Sequence, residues 1–144
     1  MKQLLDLDTF AQTLTNKGYD GYFQTEAAYA DKIKDSISRF LEACNNGTDK
    51  PMLPNILMLK TYLEWNGDDK PKVDCNMWVR YEAGLFDVQK MNIDRIDQYG
   101  QILTQSKLTD LSTNSVPTRK EAIAQVSEKP REQLSNQNRR FRMR

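Results

Sequence analysis

The sequence predicts a mainly α fold: a small bundle of about four to five helices carrying an extended basic C-terminal arm. Three observations predict it. Apolar residues recur at helical spacing through residues 25–45. The composition changes near residue 104, where the Trp and Tyr residues and most large aliphatics stop. Charge divides at the same place. Residues 1–104 carry 12 Lys and Arg against 16 Asp and Glu, and residues 105–144 carry 9 against 4. The net charge of +1 therefore conceals an acidic body and a basic arm. The predicted units are an acidic helical body, 1–104, and a low-complexity basic arm, 105–144. The arm is rich in Ser, Thr, Asn and Gln and holds one aromatic, Phe141. It cannot bury enough apolar surface to fold alone.

Each element has its own signal. Residues 9–17 predict a short amphipathic helix, with Asp8 as cap, Phe10 and Leu14 on one face and Gly18 as stop. Residues 25–45 predict the clearest helix, with Tyr29, Ile33, Ile37, Phe40, Leu41 and Cys44 on one stripe. Asn45-Asn46-Gly47 ends it. Residues 54–65 open with Pro54 and are apolar nearly all round, as expected of a central buried helix. Residues 75–86 read either as a helix capped by Asp74 or as a strand through Trp78, Val79 and Tyr81. The helix is favoured. Residues 92–104 predict a further helix capped by Asn92 and weakened by Gly100. In the arm, residues 117–126 can form one short helix that groups Ala122, Ile123 and Val126.

The chemistry-bearing residues narrow the function. The chain has no histidine, which excludes Ser-His-Asp and Cys-His catalysis and His-ligated zinc. Two cysteines exclude a four-cysteine metal site. Cys44 and Cys75 are expected as free thiols of a reducing compartment. No phosphate loop or dinucleotide fingerprint is present. Asp68-Asp69 has oxygen donors for a hard cation, but neighbouring Lys70 and Lys72 favour a solvated pair. The chain is therefore read as a non-enzyme without cofactor or resident metal.

Two groups stand out as binding residues. The sequence ends with Arg139, Arg140, Phe141, Arg142 and Arg144. Arginine grips phosphate bidentately and stacks on bases, and it docks equally well on acidic protein. Tyr19, Tyr22 and Phe23 form an aromatic-rich approach to the second helix and are candidate interface residues. Core packing is the competing role for them. Gln137-Asn138-Arg139-Arg140 is similar to the end of a homeodomain recognition helix, but Ser135 and Asn136 stand where that family needs a Trp-Phe anchor.

The opening MKQLLDLD has acidic residues where a signal peptide needs an apolar run, and the longest strongly apolar run is Ile56-Leu57-Met58-Leu59. A cytoplasmic protein without a membrane span is expected. Short N-terminal helices followed by a long C-terminal arm resemble helical head–tail connector (adaptor) proteins of tailed phages. The resemblance is architectural and transfers no residue. It implies a multi-subunit ring next to a portal, a virion location and no enzymatic activity. The expected function is assembly with protein partners in a homo- or hetero-oligomer. A nucleic-acid-binding accessory protein acting through the arginine tail is the alternative. A small protein inhibitor or regulator is the third reading.

Overall fold

The computed structural model describes residues 4–25, 29–30, 32–47, 55–65 and 71–127. It is built on strands. β1 (Leu5–Asp6) leads into helix α1 (Leu7–Asn16); β2 (Phe23–Gln24) and β3 (Tyr29–Ala30) precede helix α2 (Ile33–Asn45). Four longer strands follow: β4 (Ile56–Trp65), β5 (Pro71–Glu82), β6 (Leu85–Ile96) and β7 (Ile102–Leu108). A 3-10 turn (Thr113–Ser115) and helix α3 (Arg119–Gln125) complete the described chain.

The strands form one curled antiparallel sheet in the order β1-β6-β5-β4-β2-β3. β5 takes one edge of β6. The other edge is shared by β1 at Leu5–Asp6 and by β7 along Met91 to Ile96. Between them, Leu111 N–H donates to the Gln89 carbonyl at 2.9 Å, so the segment after β7 covers the remaining gap.

The helical bundle expected from the sequence is therefore overturned, and with it the likeness to helical phage connectors, so the virion role that likeness implied loses its support. The reason lies in three segments read as helix. In β4, Leu57, Leu59 and Leu63 point to the core, but Ile56, Met58 and Tyr62 on the opposite face are half-buried and apolar too. Alternation is thereby hidden, and the run imitates a buried helix. In β5, Val73, Cys75, Met77 and Val79 alternate with Lys72, Asp74, Asn76, Trp78 and Arg80 in strict period two. In β6 the alternation changes phase at a bulge opposite Trp78 and Val79. The segment read as a helix over 92–104 is the end of β6, a turn, and the start of β7. Asp97 Oδ1 accepts from Tyr99 N–H at 2.8 Å and Gln101 N–H at 2.9 Å, and Gly100 takes φ +84° in that turn.

The two N-terminal helices are present with shifted starts. Asp6, not Asp8, caps α1 by accepting from Thr9 N–H at 2.7 Å. Asp8 instead pairs with Lys34 of α2 at 2.7 Å. α2 starts at Ile33, because Tyr29–Ala30 before it pair with Phe23–Gln24 as β3 and β2. The helix foreseen over 117–126 is α3, capped by a Thr118–Glu121 capping box.

One core joins these elements. Phe10 and Leu14 of α1, Ile33, Ile37 and Phe40 of α2, Ala122 of α3 and Val126 just after it pack on the inner face of the sheet. The predicted boundary at residue 104 falls inside β7, and Leu111, Val116, Ala122 and Val126 belong to the same core. Cys75 is a buried free thiol, and Cys44 is half-buried. No helix among the described residues is long and apolar enough to cross a membrane.

Candidate functional site

All the described helices bury their apolar stripes on the inner face, and among the described residues no helix packs on the outer face. Strand register arranges the outer side chains in cross-strand rows. One row runs Gln24, Lys60, Asn76, Asn92, Lys107. A second runs Tyr62, Asp74, Asp94, Gln105. A third runs Met58, Trp78, Lys90.

The charges on this face differ in height. Lys90 and Lys107 are exposed, and Lys60 is partly so. The carboxylates are recessed: Asp74 is 6% exposed and Asp94 8%. Lys60 Nζ lies 3.4 Å from Asp74 Oδ2, and Gln105 Nε2 donates to Asp94 Oδ1 at 2.7 Å. Burial holds the Asp74 carboxyl above the usual carboxylate range; Lys60 pulls it down and the facing Asp94 pushes it up. The negative charge of the second row is thus both covered and partly countered. Lys90 Nζ rests 4.7 Å from the centroid of the Trp78 ring, and Lys60 Nζ lies 5.9 Å from that of Tyr62. The accessible chemistry of the three rows is ammonium, amide and aromatic ring; further along β5 the partly exposed Arg80 and the exposed Glu82 pair with each other at 3.1 Å.

At one end of this face, where β4 runs past the end of β2, a cleft of about 340 Å³ opens. Tyr22, Tyr62 and Trp65 line it together with Asp20 and Arg119. Trp65 stands edge-on to Tyr22, centroids 6.0 Å apart at 82°, and 5.1 Å from Tyr62. The walls come from distant stretches of sequence stitched together. Arg119 N–H donates to the Lys17 carbonyl at 2.8 Å, Lys17 Nζ to the Asn114 carbonyl at 3.0 Å, and Tyr19 OH to the Pro117 carbonyl at 2.7 Å. The Arg119 guanidinium donates to the Leu63 carbonyl. Gly18, at φ +100°, allows this approach: a Cβ there would sit 3.0 Å from the Arg119 Cβ.

The candidate residues read from the sequence separate accordingly. Tyr22 is 45% exposed and lines the cleft. Tyr19 and Phe23 are buried in the core, Tyr19 at the inner wall of the cleft. Burial raises the Tyr19 phenol well above its ordinary value, which suits a hydroxyl fixed as a donor. Arg139, Arg140, Phe141, Arg142 and Arg144 lie outside the described residues, as do Asp68-Asp69. Sequence reasoning missed Lys60, Trp78, Lys90, Trp65 and Arg119. The alternation in β5 could have placed Trp78 on an outer face; nothing local could have brought Arg119 to Leu63, 56 residues away.

Comparison with known protein families, with curated proteins and with solved structures finds no match.

Proposed function

We propose that the protein is a non-enzymatic binding protein that engages single-stranded nucleic acid across the outer face of its sheet. One observation carries this reading: the cations Lys60, Lys90 and Lys107 are accessible while Asp74 and Asp94 are recessed. A polyanion meets ammonium groups first. Trp78 and Tyr62 add ring faces on which bases stack without regard to sequence, and Asn76 and Asn92 add donors and acceptors between them. The arginine-rich end of the chain supplies further phosphate-binding groups.

The test is fluorescence anisotropy with a labelled oligo-dT of about 20 nucleotides, titrated over a range of salt. Binding should weaken steeply with salt, and the double charge reversal Lys90→Glu, Lys107→Glu should weaken it by about tenfold or more. Both lysines are exposed, so the variant should fold. An affinity untouched by the reversal removes the sheet face from the function.

A second reading, assembly through protein contacts, is favoured by one specific feature. Tyr99, Ile102 and Leu103 at the β6–β7 hairpin are 80%, 54% and 52% exposed. Three large apolar side chains on one hairpin end suit a protein interface. Light scattering on the full chain, with and without Leu103→Lys, separates the two: a defined oligomer that the substitution dissolves supports assembly.

A further inference from the structure

We propose that the cleft between Tyr22, Tyr62, Trp65 and Arg119 is a subsite for one nucleotide, taking a base against its rings and a phosphate on Arg119. The assignment builds on the single-strand reading, since it gives a strand crossing the sheet face one anchored unit. Its own argument is the composition and rigidity of the cleft.

Two of the three rings leave stacking surface open, Trp65 at 37% exposed and Tyr22 at 45%, and Tyr62 is half-buried beside them. The cleft volume of about 340 Å³ lies at the small end of ligand clefts, which suits one nucleotide rather than a folded chain segment. Arg119 is held in place by the Leu63 carbonyl, and a guanidinium retains further N–H groups for an incoming phosphate. Asp20 lies on the same wall and is acceptor-only when ionised, so it can receive an exocyclic amine or ring N–H of a base. A cation alone would meet Arg119 as a repulsive neighbour, and a simple anion would meet Asp20. A base carrying a phosphate uses both charges. The links from Lys17 to Arg119 and Asn114, and from Tyr19 to Pro117, fix the walls before any ligand arrives, which spares the ordering cost of binding.

The chain has two tryptophans, one in each site: Trp65 in the cleft and Trp78 on the sheet face. Full-length protein labelled with 5-fluorotryptophan should give two 19F resonances, assigned with Trp78→Phe. Adenosine 5′-monophosphate should shift the Trp65 resonance saturably and leave Trp78 in place, while inorganic phosphate should shift neither. Tyr22→Ala, at an exposed position, should weaken the nucleotide at least about fivefold, as loss of one stacking ring does. Arg119→Gln should weaken it as well, and the unchanged Trp78 resonance would report that the sheet stays folded. A Trp65 resonance that ignores millimolar nucleotide, or follows inorganic phosphate equally, overturns the assignment. The two readings fail separately. Oligo-dT that moves Trp78 with Trp65 silent to every ligand leaves the face and removes the cleft. Nucleotide that moves Trp65 while oligo-dT leaves Trp78 unmoved keeps the cleft and removes the face.

Discussion

Two buried aspartates show how little of a residue's role lies in its type. Asp87 is 2% exposed, and its Oδ1 accepts from Thr113 N–H at 2.8 Å and Thr113 Oγ1 at 2.7 Å. Asp74 is 6% exposed but faces another carboxylate across the ladder, with Lys60 as its counter-charge. Its carboxyl therefore holds a proton more tightly in the folded than in the unfolded chain, whose ordinary value is 3.8. The folded state binds the extra proton, so this contribution to stability is full below that value and is lost as pH rises through the raised one. Asp74→Asn should remove the slope. An amide can still accept from Lys60 and donate to Asp94, so the variant should gain about 0.2–1 kcal/mol at neutral pH, the range for a directly opposed charge pair. Thermal melts from pH 4 to pH 8 check this. A variant less stable than the parent at pH 8 would show that the Lys60 ion pair outweighs the carboxylate repulsion.

At the scale of elements, helices were more legible than strands. α1 and α2 show a polar and an apolar side within one stretch, so their period survives in the sequence. β4 lost its period because both of its faces carry apolar residues, and β6 lost it because a bulge reverses the phase halfway. β5 kept a clear period-two pattern, yet Asp74 as a helix cap competed with it. The candidate site was less legible still. Tyr22 announced itself by local aromatic density, but Trp65 and Tyr62 looked like the interior of a helix, and Lys60 and Lys90 meet Tyr62 and Trp78 only through register. Register is a long-range property, fixed by which faces bury and not by neighbours in sequence. The bulge in β6 matters structurally because Thr113 closes it: Thr113 Oγ1 donates to Asp87 and accepts from Val88 N–H at 3.1 Å. Thr113→Val keeps the shape and removes both bonds. It should cost about 1–3 kcal/mol, the penalty for leaving buried polar groups without partners. Urea unfolding measures it, and a loss near zero would mean that water replaces the hydroxyl.

For the whole molecule, the distribution of the core decides which part of the chain the fold needs. Leu111, Val116, Ala122 and Val126 are all buried with the sheet, so residues beyond 104 belong to the folded body as far as α3. Each such side chain contributes up to about 1.5–3 kcal/mol when fully buried, Ala less, against a typical total stability of about 5–15 kcal/mol. A chain ending at residue 110 should therefore be unfolded or nearly so, whereas one ending at residue 127 should melt within a few degrees of the full chain. Circular dichroism distinguishes them. The shorter folded chain also divides binding between its two cationic regions. Removing residues 128–144 takes away Lys129, Arg131, Arg139, Arg140, Arg142 and Arg144, together with Glu128 and Glu132. If these cations touch phosphate, the slope of log affinity against log salt should fall by about 0.7 for each phosphate they neutralise. The sheet face would still bind, more weakly, and Lys90→Glu, Lys107→Glu would still reduce what remains. Binding that vanishes with residues 128–144 would transfer the function from the face to the tail. Binding with unchanged affinity and slope would take residues 128–144 out of the mechanism and leave Lys60, Lys90 and Lys107 on the face, with Arg119 in the cleft, as its phosphate-binding groups.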